Sequence, residues 1–410
     1  MHLQLTSDSR KLSGRISVTG SKSESNRLLI LQALFPELRI ENLSNSDDTR
    51  VLQKALASSE GVIDIHHAGT AMRFLTAYFA SNEGREVVLT GSERMQERPI
   101  AILVDALREL GADISYEKNK GFPPLRIKGK KLSKNEVTIK ANISSQYISA
   151  LMLIAASLPE GLKIHLEGKV TSVPYIEMTL QLLRKCGISG SFQNNEISIA
   201  PVSSVPEKEI TVESDWSSAS YFYSLAALSE SAEISLSSYR AESLQGDRSV
   251  VEIYEKLGVK TTFLDGEIRL EKVKTELPKK MELDLSNSPD LAQTIAVTCF
   301  GLGIEAEMTG LHTLRIKETD RLQALKNELE KLGGQVEITN DSLRLDPSAE
   351  IKSNISIDTY HDHRMALAFA PLALKVPLRI RDAGVVSKSF PGFWEDLSKL
   401  EISSEEIEDI

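Results

Sequence analysis

Apolar positions along the chain follow two periods in turn. Stretches with apolar residues three and four apart suit a helix packed by one face, and they give way to short runs of alternating apolar and polar residues that suit half-buried strands. The hand-over is the same in four places. An amphipathic helix ends at Leu107-Arg-Glu-Leu-Gly111, Leu183-Arg-Lys-Cys-Gly187, Tyr254-Glu-Lys-Leu-Gly258 and Leu329-Glu-Lys-Leu-Gly333, and after each Gly come a strand, a polar turn and a second strand. The strand pairs read as 112–116 with 125–128, 188–192 with 196–200, 259–264 with 267–270, and 335–339 with 342–345. Gly at the hand-over predicts a left-handed helix C-cap. Weaker copies at 52–65 and 393–402 bring the total to six, which groups as two blocks of three.

The four glycines recur at intervals of roughly 75 residues, longer than the repeat of a solenoid, so each copy is a whole α/β unit and not one layer of a stack. A unit reads strand, helix, strand, helix, strand, strand, as in 137–141, 144–157, 162–167, 175–185 and the two strands after Gly187. Pro201-Val-Ser-Ser-Val-Pro206-Glu-Lys is linker-like, and a new unit is expected to begin near Thr211, which places a domain junction there. The expected class is α/β with two similar domains.

At roughly 100–200 residues per domain, the 410 residues suffice for two or more domains. Lys and Arg number 48 against 58 Asp and Glu, a net charge of −10, which argues against a general nucleic-acid binder. Only Cys186 and Cys299 occur, without a Cys-x-x-Cys partner, so a disulfide scaffold is excluded and a reducing compartment favoured. No apolar run is long enough to span a membrane, and residues 1–6 lack the basic start and apolar stretch of a signal peptide. A cytoplasmic location is expected.

Several predicted helices open with small hydroxylated residues or Gly beside a cation: Gly20-Ser-Lys-Ser23, Ala68-Gly-Thr-Ala-Met-Arg73, Ser144-Ser-Gln146, Ser217-Ser-Ala219 and Asp362-His-Arg364. Ordinary N-capping explains any one of them. Their recurrence points further, because Lys22 and Arg364 sit where the helix dipole disfavours a cation, and a bound phosphate or carboxylate relieves that conflict. In Arg315-Ile-Lys-Glu-Thr-Asp-Arg321 the spacing lets Lys317, Glu318 and Arg321 share one helix face, either as an anion site or as a solvated salt-bridge ladder. No phosphate-loop or dinucleotide fingerprint is present. His361-Asp-His363 and His66-His67 lack the further ligands a metal site needs.

Taken together, these segments resemble the enolpyruvyl transferases, and among them the EPSP synthase family. The resemblance runs nearly the whole chain and rests on Gly20-Ser-Lys-Ser-Glu-Ser-Asn-Arg27, Ala68–Arg73, Arg94-Met-Gln-Glu-Arg98-Pro99, Ile143-Ser-Ser-Gln146, Asp215-Trp-Ser-Ser-Ala-Ser-Tyr221, Lys317-Glu-Thr-Asp-Arg321, Asp362-His-Arg-Met365 and Lys388-Ser-Phe-Pro391. It implies an inside-out α/β barrel architecture of two domains, each of three βαβαββ repeats: 21–213, and 1–20 with 214–410, with the active site in the cleft between them. The related transferase acting on UDP-N-acetylglucosamine generally carries a catalytic Cys in a mobile loop, and Arg94–Pro99 has none. A non-catalytic anion-binding relative is the other alternative.

The reaction so implied transfers the enolpyruvyl group of phosphoenolpyruvate to the 5-hydroxyl of shikimate 3-phosphate and releases phosphate, without cofactor or metal. Each substrate carries a phosphate and a carboxylate, so the site needs many cations. Carried over by motif, Lys22, Arg98, Arg321, Arg364 and Lys388, with Gln146 and the Gly69 backbone, hold phosphoenolpyruvate. Ser23, Arg27, Ser144, Ser145, Ser172, Tyr175 and Lys317 hold shikimate 3-phosphate. Addition across the enol double bond needs two acid–base groups; Asp290 matches the base on the hydroxyl, Glu318 a carboxylate near the methylene carbon, and Lys22 shares the proton transfers. A monomer with no nucleic-acid or membrane partner is expected. The chain departs from the family pattern at His67, where Asn is usual, at Phe74, where Pro is usual, and at Thr313-Leu314, where Asn-Trp is common.

Overall fold

A strand, an apolar helix and a second strand running in the same direction recur through the chain, because a parallel pair requires a crossover long enough to bring the chain back. The computed structural model describes residues 1–140, 145–168, 170, 173–348 and 350–408. Its strands separate into two compact units, Gly20–Val212, and Met1–Thr19 with Glu213–Ile410.

Among the described residues the strands form five four-stranded sheets and one two-stranded sheet. In one of the larger sheets Val62–Asp64 pairs parallel with Glu86–Thr90, which pairs antiparallel with Leu125–Lys128, which in turn carries Asp113–Tyr116 on its far side. The spatial order is thus first, second, fourth, third. Glu136–Lys140, Leu162–Glu167, Glu196–Ile199 and Gly190–Gln193 repeat it, as do Lys280–Asp284, Glu305–Thr309, Leu343–Asp346 and Gln335–Ile338.

Two sheets reach the same order with strands from the start of the chain. Lys11–Ile16 lies parallel to Ser231–Ser237, ahead of Glu267–Lys272 and Val259–Leu264. His2–Ser7 lies antiparallel between Leu378–Ile380 and Ile402–Ile407, so the fourth strand of the last repeat is the first strand of the sequence. The copy expected at 393–402 is therefore a helix, Phe393–Ser398, and one strand whose hairpin partner comes from the other terminus. The copy expected at 52–65 is corrected: Val62–Asp64, behind helix Asp47–Ala57, opens the next sheet. What precedes it is an abbreviated unit, Leu38–Glu41 paired in parallel with Lys208–Thr211, a strand from the stretch expected to hold the junction.

The helix ends follow the sequence closely. Gly111 has φ +106°, and its N–H donates to the Arg108 carbonyl at 2.9 Å while Ala112 N–H donates to Leu107 at 2.9 Å. The same pair of bonds closes the helices at Gly187–Ile188 and Gly333–Gly334. Both bonds cap carbonyls that the helix leaves open, and the required φ is one that a Cβ resists.

The helix between the first two strands is the core of each repeat. In Trp216–Leu228 every residue but Ser217 is buried, and in Ser145–Ala155 every residue but Gln146. Lys22–Leu34, Gly69–Ser81 and Ser145–Ala155 pack on one another in one unit, and Trp216–Leu228, Ala292–Leu302 and His363–Phe369 in the other. A helix apolar all round is stable only with neighbours on every side, so the sheets lie outside these trios. No helix among the described residues is long and apolar enough to cross a membrane.

Gly333→Ala is expected to cost at least about 1–2 kcal/mol, the penalty of a left-handed L-residue, and Gly333→Asn less. A thermal melt reads both. An Ala variant melting with the parent protein would show that the φ of +103° is not needed.

Candidate functional site

In the Gly20–Val212 unit the predicted residues gather at the N-terminal ends of the three packed helices. Helix Lys22–Leu34 begins at Lys22, whose ammonium lies 3.4 Å from the Asp48 carboxylate. One turn on, Arg27 is buried with its Nε donating to Thr179 Oγ1 at 2.7 Å, Nη2 to Ser149 Oγ at 3.1 Å and Nη1 to the Ser23 carbonyl at 2.8 Å. Its guanidinium lies 5.4 Å from the centre of the Phe74 ring and 6.0 Å from that of Tyr175. Phe74 thus stands as an aromatic floor for this cation. Burial pulls the Arg27 pKa down to about 10, against the fields of Tyr175 and Glu24.

Helix Gly69–Ser81 begins at Gly69, and a Cβ there would lie 2.5 Å from Arg98 Nη1. Only Gly lets that guanidinium rest on the helix start. Gln146 Nε2 donates to Thr70 Oγ1 at 3.3 Å, tying the starts of two helices together, and Ser145 is buried beside it. His67 Nδ1 and Ser92 Oγ are 2.9 Å apart. Ser144 and Ser172 lie outside the described residues.

In the other unit the residues converge on one carboxylate. Asp290 Oδ1 accepts from Arg321 Nη1 at 2.9 Å and lies 3.5 Å from the Lys317 ammonium, while Oδ2 accepts from Arg364 Nη2 at 3.1 Å. Arg321 is 2% exposed and spends its other donors on Glu318 at 2.7 Å and on both oxygens of fully buried Asp362, at 2.6 and 3.3 Å. Arg364 also donates to the Asp290 carbonyl, to Tyr221 Oη and to Ser217 Oγ. Ser217 Oγ in turn donates to Asp247. Lys388 joins through backbone, its ammonium 2.6 Å from the His361 carbonyl.

The shared helix face expected for Lys317, Glu318 and Arg321 is corrected. The helix is Arg321–Lys331, and Lys317 and Glu318 precede it in an irregular segment after a 3₁₀ turn, His312–Ile316. Asp320 stops any earlier start: its side chain accepts from Gln323 N–H at 3.1 Å as N-cap and also holds Arg315 at 2.7 Å. Glu318 still reaches Arg321, from outside the helix. Thr313 Oγ1 is buried and makes no hydrogen bond among the described residues.

Charge and burial oppose each other here. Burial acts to raise the Asp290 pKa, but Arg364, Lys317 and Arg321 outweigh it and hold the carboxyl well below the usual range. Asp247, buried without a cation of its own, goes the other way: desolvation first, then the nearby Asp290 charge, lift it to about 6. Burial raises the Cys186 thiol to about 11 and the Cys299 thiol to about 12, so neither is poised as a nucleophile. Among the described residues no group of three or more His, Cys, Asp or Glu is placed to hold a metal ion.

Sequence reasoning placed Ser217 and Asp362 inside quoted motifs without a role, and it missed Asp247 altogether. Asp362 is the strongest partner of Arg321, and Ser217 and Asp247 continue the chain of contacts from Arg364. A signal for Ser217 is its small hydroxyl in the first turn of a largely apolar helix, where it is the one residue not fully buried. Asp247 sits in a 3₁₀ turn, Gly246–Ser249, and no periodicity marks it.

Comparison with known proteins bears on the whole chain. A family model described as EPSP synthase (3-phosphoshikimate 1-carboxyvinyltransferase) matches residues 50–397. A 3-phosphoshikimate 1-carboxyvinyltransferase from Bacteroides fragilis is 48% identical over 402 residues, covering 96% of this chain and 97% of that one. One of the same description from Marinomonas is 37% identical over 414 residues, covering 94% and 96%. Among solved structures, an EPSP synthase from Acinetobacter baumannii superposes with a TM-score of 0.79 at 20% identity over 100% of both chains. The enolpyruvyl transferase NikO from Streptomyces tendae gives 0.72 at 16% identity over 98% of both, a likeness of fold.

The Asp247 shift fixes a pH dependence. Its folded pKa of about 6 exceeds the unfolded value near 3.8, so between those values the folded protein binds more protons and stability falls as pH rises through the window. Asp247→Asn is expected to raise the melting temperature at pH 7.5 and to lose that advantage near pH 4. A variant less stable than the parent at pH 7.5 would contradict a carboxylate whose desolvation outweighs the Ser217 hydrogen bond and the Arg364 charge.

Proposed function

Because the chain belongs to the EPSP synthase (3-phosphoshikimate 1-carboxyvinyltransferase) family, we propose that it transfers the enolpyruvyl group of phosphoenolpyruvate to the 5-hydroxyl of shikimate 3-phosphate, releasing phosphate. The enzyme is a transferase of the shikimate pathway. The observation that carries the reading is the Asp290 carboxylate gripped by Lys317, Arg321 and Arg364. Two substrates bring four anionic groups, and cations in this number suit them. The reading assigns residues of both units to one reaction: Lys22, Arg98, Arg321, Arg364, Lys388, Gln146 and Gly69 to phosphoenolpyruvate, and Ser23, Arg27, Ser144, Ser145, Ser172, Tyr175 and Lys317 to shikimate 3-phosphate. Two buried free thiols fit a cytoplasmic setting.

With its pKa held so low, Asp290 is a poor base while the cations face it. Substrate anions that draw Arg364 and Lys317 to themselves cancel part of that field, and the Asp290 pKa rises towards the ordinary carboxylate value. Asp290 then takes the proton of the 5-hydroxyl as its oxygen attacks C2 of phosphoenolpyruvate, and the methylene carbon receives a proton from Glu318 or Lys22. The resulting tetrahedral intermediate loses a methyl proton to the same group. The C–O bond to phosphate breaks, the electron pair leaving with the phosphate, which takes up the proton held by Asp290, and the double bond re-forms. Arg321 holds Asp290 and Glu318 on one guanidinium, so the two acid–base groups are set at a fixed spacing.

Phosphate release should require both substrates, and Asp290→Ala and Glu318→Ala should each lower kcat by about 10²-fold or more. Release from phosphoenolpyruvate alone at the full rate would refute the transfer reaction. Near-native turnover by either folded variant would refute that residue's assignment.

A further inference from the structure

Helix Arg321–Lys331 is fastened at two levels to the segment that leads into Arg364. At its start Arg321 grips Asp362. Two turns on and on the same side, Glu328 is fully buried, its Oε1 accepting from Tyr360 Oη at 2.6 Å and its Oε2 from Asp358 N–H at 3.1 Å and Lys331 Nζ at 2.7 Å. Lys331 closes the network on Asp358 at 2.6 Å. Between the two attachments lie Tyr360 and His361, with φ +53° and +56°, consecutive left-handed residues that are not glycine. Such a turn is unfavourable unless its surroundings hold it.

This turn carries two site contacts. The His361 carbonyl accepts from Lys388, and the residue after it is the Asp362 that holds Arg321 and caps helix His363–Phe369 through Arg364 N–H at 2.9 Å. We propose that Tyr360, anchored by the buried Glu328, is a positioning residue: it locks the left-handed turn that aims His361 at Lys388 and Asp362 at Arg321, and so sets the grip on phosphoenolpyruvate. Tyr360 touches neither substrate in this scheme. It acts on the two cations through one carbonyl and one carboxylate. The substrate assignment rests on the function proposed above; the link from Tyr360 to the two cations does not.

The test is Tyr360→Phe in the full-length protein, beside Glu328→Gln and Glu328→Leu. With saturating shikimate 3-phosphate, the Phe variant is expected to raise KM for phosphoenolpyruvate about tenfold while KM for shikimate 3-phosphate changes less than twofold. Glu328→Gln, which keeps an acceptor for the phenol, should retain more of the parent affinity than Glu328→Leu. Calorimetric titration with inorganic phosphate gives a reading that does not depend on turnover, and Tyr360→Phe should bind it several-fold more weakly. A parent protein that binds phosphate but turns over neither substrate would sink the function and leave the phosphate titration to judge the turn. A Phe variant with a lowered melting temperature but unchanged KM and phosphate affinity would overturn the proposal, because a structural role alone predicts that result.

Discussion

Everything else in this protein follows from burying helices that are apolar on all sides. Such a helix cannot lie on the outside of a sheet, so three helices pack together in each unit, and Gly69–Ser81, Ser145–Ala155, Ala292–Leu302 and His363–Phe369 each connect two parallel strands. Parallel strands point their crossover helices the same way, and three helices so arranged present their N-termini at one end. Side chains at that end have unfilled N–H groups and positive dipole ends for neighbours. The polar exceptions on otherwise buried helices, Ser217 and Gln146, are therefore found there, as are Lys22, Gly69 and Arg364. The chemistry sits where the packing leaves backbone donors free.

Burying cations at that end would be ruinous without carboxylates, and the two units meet the cost in different ways. Arg321 is surrounded by Asp290, Glu318 and Asp362, and removing one member of such a cluster typically costs about 3–5 kcal/mol because a bare charge remains. Arg27 instead relies on two hydroxyls, a carbonyl and two aromatic faces. Its charge is less fully answered, and its lowered pKa records that. An anion arriving at Arg27 meets a cation held by hydroxyls, a carbonyl and rings. One arriving at Arg364 or Arg321 must compete with carboxylates already in place.

Much of this was legible in the sequence wherever one residue does one local job. The glycines at 111, 187, 258 and 333 marked helix ends because only a left-handed cap explains Gly followed at once by a strand, and all four have positive φ. Helix starts at Lys22, Gly69 and Ser145 were legible for the same reason. What local pattern could not supply was partnership at long range. Val62–Asp64 follows its helix as a closing strand would, yet it pairs with the strand after it. Lys317 and Glu318 have helical spacing, but Asp320 caps the helix first. Asp247 acquires its character from Ser217 and Asp290, 30 and 43 residues away, and nothing in Gln245-Gly246-Asp247 announces that meeting.

The placement of His2–Ser7 between Leu378–Ile380 and Ile402–Ile407 also governs how the molecule comes into being. Gln4 and the Leu378 carbonyl it bonds are 374 residues apart, so this strand waits for a partner made far later in the chain. At about 5–20 residues per second of synthesis that wait is roughly 20–80 s. Throughout it both edges of the strand are bare, an invitation to pair with another nascent chain. The Gly20–Val212 unit takes its last strand at Lys208–Thr211, whereas the other unit cannot be completed until Ile402–Ile407 has been made. The polypeptide thus carries its own clock, with half of the molecule ready while the other half still waits for its final strand.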